Sequence, residues 1–140
     1  MIAAFSPENA GSAFLVEEPG GATGFASVGK QRDRGLADKG YSAEITAIYV
    51  LQAAQRKGVG RALLREAAAH LRRAGHRSAA LWVLEKNAKA RRFYEALGAR
   101  PIATRQEVRP GTVLQEVAYG WDDLSPLLAS HAAKPRLPKR

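Results

Sequence analysis

The sequence predicts an α/β fold with a mixed central sheet and helices on its faces. Apolar, strand-like segments give way twice to helical patterns, near residues 59 and 87. Turn-forming residues at 18–21 and 109–112 join strand candidates into one hairpin toward each end of the chain. The predicted order is β-β-β-α-β-α-β-β. Its β-α-β-α centre favours parallel strands, and its hairpins favour antiparallel ones.

The first half of the chain contains three predicted strands. Residues 1–12 are small and polar and are expected to form a loop or a fraying arm. The turn Glu18-Pro-Gly-Gly21 and the polar connection 30–40 separate the strands. The third is the most typical strand of the chain, since it is rich in β-branched and aromatic residues. The three strands are Ala13–Glu17, Ala22–Val28 and Ala43–Val50.

The second half alternates helices and strands. Residues 59–73 place apolar side chains every fourth position and arginines opposite, and Gly75 is the expected stop. The continuous apolar segment Ala79–Leu84 predicts a strand buried on both faces. Asn87 is suited to cap a helix that ends at Gly98. Two strands follow, at 101–108 and 113–121.

Length and composition exclude several classes of protein. The 140 residues suffice for one domain, predicted over 1–124, followed by a basic tail over 125–140. The absence of cysteine excludes a disulfide scaffold, a cysteine-ligated metal site and a catalytic thiol. With no apolar stretch near the ~20 residues of a membrane helix and no visible signal peptide, we expect a cytoplasmic protein without a membrane partner.

The net charge of +9 indicates anionic partners. Nucleic acid, anionic lipid and phosphorylated cofactors all fit the charge. Aromatic residues do not interleave with the basic clusters, and no recognisable nucleic-acid motif is present. The sequence therefore gives little support to nucleic-acid binding, which is kept only as a remote alternative.

The segment 50–64 predicts a phosphate site. A strand ends, a polar turn with glycines follows, and a helix begins, so that unpaired N–H groups and the positive helix end face outward. Arg56, Lys57 and Arg61 add charge. The spacing is neither that of a Rossmann fingerprint nor that of a Walker loop. Taken alone, it also fits an ordinary turn beside a solvated basic face.

The pattern Gln55-x-x-Gly58-x-Gly60 resembles the cofactor motif of the GNAT superfamily of N-acetyltransferases. Further features agree with it. Glu44–Val50 resembles the family's central strand, and the helix continues Arg61-Ala-Leu-Leu64. The stretch Asn87-x-x-Ala90-x-x-Phe93-Tyr94 followed by Gly98 is similar to the family's second motif. A terminal hairpin ending near Trp121 is also usual there, so that the resemblance covers roughly 13–124.

The resemblance implies that acetyl-CoA binds as cosubstrate. Its diphosphate would lie on the backbone N–H groups of the motif, and its pantetheine arm would pair with the backbone of Ile48 and Val50 and contact Asn87. The central strand usually bulges and separates from the next one, which makes a slot for the thioester. The motif residues are Arg56, Lys57, Gly58, Val59, Gly60 and Arg61.

The expected chemistry is direct transfer of acetyl to a primary amine of a small molecule or a protein. An alkylamine has a pKa of about 10.4 and needs a base, for which Glu44 is the candidate, directly or through water. The backbone N–H of Val50 or Leu51 would stabilise the oxyanion. Tyr94 would donate to the departing thiolate. Each side chain also has a structural alternative: Asn87 as a cap, Tyr94 as core and Glu44 as a solvated residue.

The chain departs from the family pattern in three places. Gln52 replaces a usual proline and Arg56 a usual glycine, and neither change removes a backbone N–H. The strand and helix pair that normally precede the first hairpin are not predicted. A short natural chain, a misassigned start or a partner subunit would each explain this, and an exposed apolar sheet face would favour a homodimer. An acyl-CoA-binding module with little activity is therefore the alternative function.

Overall fold

A computed structural model describes residues 2–5, 12–51, 55 and 58–132. The strands are β1 (Ile2–Phe5), β2 (Ser12–Glu18), β3 (Gly21–Lys30), β4 (Ala43–Val50), β5 (Ala79–Leu84), β6 (Arg100–Arg109) and β7 (Thr112–Trp121). The helices are α1 (Arg34–Asp38), α2 (Val59–Arg73), α3 (Ala88–Ala96) and α4 (Ser125–Ala132).

The strands form one mixed sheet in the order β1-β2-β3-β4-β5-β7-β6. Only the β4–β5 pair is parallel among the described strands, and it lies at the centre of the sheet. The fold class predicted from the sequence is confirmed, and both predicted hairpins are present as β2–β3 and β6–β7.

The main core lies between one face of the sheet and helices α2, α3 and α4. Helix α2 buries the stripe predicted from its periodicity, including Leu63, Leu64 and Leu71. The burial of β5 on both faces is also confirmed, since Leu81 joins this core while Ala80 joins a smaller cluster on the opposite face. The helix ends fall where they were expected, with Gly75 and Gly98 just beyond α2 and α3.

Three segments differ from the sequence predictions. Residues 2–5 form edge strand β1, paired antiparallel with β2, rather than a loop. The polar connection contains the short helix α1, because Asp33 caps it through the Leu36 N–H and Leu36 is buried against the sheet. The predicted tail begins with α4, which packs on α2 and buries Leu127, next to buried Leu124 just before the helix. The remaining tail residues, 133–140, lie outside the described part of the chain.

Candidate functional site

The two central strands separate to make a slot. β4 and β5 pair only at Ala43↔Ala79 and Glu44↔Ala80, at the start of each strand. On the other side of β4, the register with β3 shifts so that Ser27 faces Ala47 while Val28 faces Ile45. One residue, Thr46, is therefore extra and forms a β-bulge, which bends the strand. The bulge and the separation expected from the sequence are both present.

The backbone of the separated part of β4 faces the slot. Hydrogen-bonded and non-hydrogen-bonded pairs alternate along an antiparallel ladder. The Leu51 N–H donates to the Thr23 carbonyl over 2.9 Å. By this alternation the pairs Val50 with Gly24 and Ile48 with Ala26, four and two residues from the bulge, are non-hydrogen-bonded. The N–H and C=O groups of Ile48 and Val50 thus point away from β3, toward the side that β5 has left.

The N-terminus of α2 is open. Gly58 precedes the helix in the left-handed region (φ 84°), and among the described residues no side chain accepts from the first N–H groups. No acidic residue lies in the first turn. The free N–H groups and the positive helix end therefore lack an internal acceptor, which is the condition for binding an anion.

A cleft of ≈ 660 Å³ connects this helix end to β4 and α3. Among the predicted coenzyme contacts, the structure brings together Ile48, Val50, Gly58, Gly60, Arg61 and Asn87. Further lining residues that the sequence analysis had not assigned to the site are Gln55, Lys89, Ala90 and Phe93.

Of the motif residues that the structure describes, Val59 does not take part in this lining. Val59 is buried, and its side chain packs against Gly24 in the core. A Cβ added at Gly24 would lie 2.7 Å from this side chain. Arg56 and Lys57 lie outside the described residues. Gly60 is required by packing, because a Cβ there would lie 2.9 Å from the Phe93 ring.

A second cleft of ≈ 370 Å³ occupies the slot between β4 and β5. It shares Ile48, Asn87, Ala90 and Tyr94 with the first cleft. Its other side is formed by Thr46, Trp82 and Glu116 together with apolar side chains of β4 and β5. The shared residues show that the two clefts meet, and Tyr94 stands at their junction.

Tyr94 is a buried phenol with an unused hydroxyl. Its side chain is 6% exposed and packs against the rings of Phe93 and Trp121, with centroids 5.5 and 6.1 Å away. Within the described part of the chain, its hydroxyl has no hydrogen-bond partner. Burial raises the pKa of Tyr94 to about 12. The phenol therefore stays protonated near neutral pH and is available as a donor at the junction.

Asn87 serves as a helix cap and also lines both clefts. Its side-chain oxygen accepts from the Ala90 N–H over 3.1 Å. The cap predicted from the sequence is confirmed, and the position is compatible with a second contact to a ligand.

Glu44 lies apart from the other predicted site residues. Its two carboxylate oxygens accept from the Arg32 guanidinium at 3.0 Å each, and the Arg32 backbone N–H adds a third bond. It lines neither cleft. The start of β4 still pairs with β5, so that Glu44 lies outside the slot, and its role as the base, directly or through water, stays a prediction.

Two polar groups that the sequence analysis missed span or line the clefts. Lys89 donates to the Gln55 side chain over 2.5 Å, and Gln55 in turn donates to the Val50 carbonyl over 3.2 Å, which bridges the mouth of the first cleft. Glu116 enters the second cleft from β7. The position of Lys89 in the first turn of α3 was readable from the sequence, whereas the approach of β7 to the slot was not.

Two further classes of site are absent from the described residues. Their His, Asp and Glu side chains form no group of three that could hold a metal ion. Their helices include none that has both the length and the apolar character needed to cross a membrane.

A mixed sheet whose central strands separate beside an open helix N-terminus agrees with the fold that the resemblance to the family implies. Residues 2–99, more than two thirds of the chain, match the model of the Acetyltransferase (GNAT) family. The chain belongs to this family. Its resemblance to the family, inferred from the two motifs, is thereby confirmed.

Comparison with individual proteins agrees. The chain is 40% identical over 111 residues to the uncharacterized N-acetyltransferase YuaI of Bacillus subtilis (strain 168). The aligned region covers 79% of this chain and 62% of that protein. The chain thus spans less than two thirds of this curated relative. It is also similar to yncA from Salmonella typhimurium, solved with its cofactor acetyl-CoA (29% identity, TM-score 0.64, 81% of this chain and 64% of that one). The ribosomal-protein-S18-alanine N-acetyltransferase from Escherichia coli is another neighbour (26% identity, TM-score 0.62, 82% and 70% covered).

Proposed function

We propose that the protein is an acetyl-CoA-dependent N-acetyltransferase that transfers acetyl directly to a primary amine. The observation that carries this proposal is the junction of the two clefts. One cleft offers an open helix end and free strand backbone to a coenzyme, the other offers a slot for an amine, and a protonated phenol lies between them. The solved relative with acetyl-CoA supports the choice of coenzyme.

The first cleft suits the coenzyme. The open N–H groups after Gly58 would receive the diphosphate, and exposed Arg61 and Lys89 supply positive charge beside it. The outward N–H and C=O groups of Ile48 and the outward C=O of Val50 would pair with the amides of the pantetheine arm as a further strand would, which leaves the Val50 N–H for the thioester. Asn87 lies where that arm passes into the second cleft.

The oxyanion donor follows from the strand geometry. The Leu51 N–H is already bonded to Thr23, so it is not available to a ligand. The Val50 N–H faces the slot and is the backbone donor that would stabilise the tetrahedral oxyanion. Of the two alternatives predicted from the sequence, this geometry supports Val50.

Tyr94 would act on the leaving group as a hydrogen-bond donor. With its pKa about 12 and that of an ordinary thiol about 8.5, complete proton transfer to a thiolate is uphill by about 5 kcal/mol. A charge-assisted hydrogen bond from the hydroxyl stabilises the thiolate without that transfer. The proton lost by the amine leaves to solvent or to a carboxylate, and the chain contains no cysteine to carry an acyl intermediate.

Binding of acyl-CoA without transfer is the second candidate function. It is favoured by the six residues between β1 and β2, which are too few for the helix pair that the family pattern places there. The acceptor side would then lack part of its wall.

Coenzyme titration and thiol release separate the candidates. Purified protein is titrated with acetyl-CoA and then assayed for free thiol with a panel of primary amines. Transfer predicts saturable binding and amine-dependent release, which Tyr94→Phe slows about 10-fold without weakening binding. Tyr49→Phe, which changes an exposed tyrosine of β4 outside both clefts, is the control. Binding with no release for any amine would support the second candidate, and no binding would contradict both.

A further inference from the structure

The second cleft contains a carboxylate that the proposed chemistry has not used. Among the described residues that line it, Glu116 alone carries a charge. Its side chain is 13% exposed. Tyr94 lines the same cleft, and its hydroxyl has no hydrogen-bond partner among the described residues. The carboxylate and the phenol therefore border one open cleft from two different elements, β7 and α3.

Neighbouring strands fix the position of Glu116. It lies opposite Leu84 of β5 and opposite Arg105 of β6. The Arg105 Nε donates to Glu116 Oε1 over 2.7 Å. The second oxygen, Oε2, has no hydrogen-bond partner in the described part of the chain, so half of the carboxylate is free to accept from a ligand.

The charges around Glu116 leave an excess of negative charge. Arg105 is shared, because its Nη1 also lies 3.5 Å from Asp33 Oδ2, and its guanidinium stacks over the Trp82 ring at 4.1 Å. Asp33 is held in turn by the Trp82 Nε1, 3.2 Å away. One guanidinium between two carboxylates gives a group with a net charge of −1. The stack and the shared pair keep Arg105 from turning into the cleft.

We propose that Glu116 receives the acceptor, and that the acceptor is an alkylamine that arrives as its ammonium cation. This inference rests on the proposed function and deepens it. An ammonium supplies the donors that Oε2 lacks, and it matches the net negative charge. An anionic acceptor would meet repulsion, and a neutral arylamine would leave the carboxylate without a cation.

The same contact supplies the missing base. The ammonium gives one proton to Glu116, the freed nitrogen attacks the thioester carbonyl carbon, and the C–S bond breaks as the C–N bond forms. The thiolate departs beside the Tyr94 hydroxyl and later takes a proton from water. The second amine proton and the one held by Glu116 pass to solvent, so that each turnover yields amide, free coenzyme thiol and one net proton.

The test compares a cationic and a neutral amine in one variant. Pentylamine is protonated near pH 7.5, whereas aniline is not. For each, kcat and KM are measured for the wild type and for Glu116→Gln, and the dissociation constant of each amine is measured by calorimetry on the protein saturated with CoA. Glu107→Gln is the matched control, because Glu107 also pairs with an arginine, Arg109 at 3.1 Å, but lies outside both clefts.

The proposal predicts a selective loss. Glu116→Gln lowers kcat/KM and affinity for pentylamine about 10- to 100-fold, the value of a charge-assisted hydrogen bond, and changes both for aniline less than about 3-fold. Glu116→Asp restores part of the pentylamine affinity. Glu107→Gln changes neither, and CoA affinity is equal in all four proteins. If Glu116 had a purely structural role, Glu116→Gln would lower kcat/KM and affinity for pentylamine and aniline alike.

Two results overturn the proposal. One is that Glu116→Gln changes kcat/KM and the dissociation constant by the same factor for pentylamine and for aniline. The other is a wild-type preference for anionic amines. If the wild type binds CoA but releases no thiol with any amine, the proposed transfer fails, while the calorimetric comparison still decides whether Glu116 holds a cation.

Discussion

Replacing Gly58 by aspartate tests whether the start of α2 grips the diphosphate. Gly58 adopts φ 84°, and a Cβ added there meets no atom of the described residues within 4 Å beyond its chain neighbours. Asp tolerates the left-handed region better than other non-glycine residues. Gly58→Asp therefore adds a negative charge to the lining of the first cleft at a modest cost in stability.

The expected loss of affinity follows from the charge. Two unit charges about 5 Å apart repel by about 3 kcal/mol at an effective dielectric constant of about 20, and solvent at the open cleft reduces this further. We expect about 1–2 kcal/mol, or roughly a 5- to 30-fold higher dissociation constant for acetyl-CoA. Calorimetric titration at low and moderate salt measures it, and the loss shrinks as salt rises.

The opposite end of the same helix provides the control. Gly75 also has a positive φ, of 97°, and open space, but it follows the last turn of α2 and lies outside both clefts. Gly75→Asp should match Gly58→Asp in backbone strain and leave coenzyme affinity unchanged. Equal affinities for both variants, or a loss common to both, would refute the assignment of the diphosphate to this helix end.

Three further changes give distinct outcomes. The pKa of Tyr94 is near 10 in the unfolded chain and about 12 in the folded one, so the folded state loses stability as the pH rises above 10. From pH 9 to pH 11 the free energy of unfolding should fall by about 1 kcal/mol more in the wild type than in Tyr94→Phe. The same fall in both proteins would contradict the burial of Tyr94. Glu44→Gln should change kcat by less than about 3-fold, because Glu44 lines neither cleft. Loss of a general base typically lowers the rate about 100-fold or more, and a fall of about 100-fold in thiol release would support Glu44 as the base. Gly120→Ala places a Cβ 2.6 Å from the Tyr41 ring and should lower the free energy of unfolding by about 1–3 kcal/mol in urea titration; an unchanged midpoint would contradict that packing.

Periodic and turn-forming segments of the sequence predicted most of the fold. The apolar stripe of α2 repeats with the period of a helix, and β5 is a short, continuous apolar segment. The hairpin turns are marked by their turn-forming residues. Two of the three segments that the prediction missed are short. β1 has four residues and α1 has five, and each depends on a neighbour, β2 for the ladder and the sheet face for Leu36. Local pattern carries no information about such neighbours.

The candidate site divides in the same way. The residues proposed to bind the coenzyme were predictable because Gly58, Gly60 and Asn87 lie at helix ends, where local geometry decides their roles. The acceptor side was not. Glu44 was chosen from its place on the central strand, but Arg32, twelve residues earlier, holds both of its oxygens. Glu116 reaches the slot only because β7 is inserted between β5 and β6, a sheet order that residue spacing does not specify.

The most direct test is a crystal structure of the protein grown with acetyl-CoA. We predict density for the diphosphate at the N–H groups that follow Gly58, and for the pantetheine arm along Ile48 and Val50, with the sulfur beside Tyr94. Coenzyme density elsewhere on the surface, or a cleft closed by the Lys89–Gln55 bridge while the coenzyme is present at saturating concentration, would contradict the account.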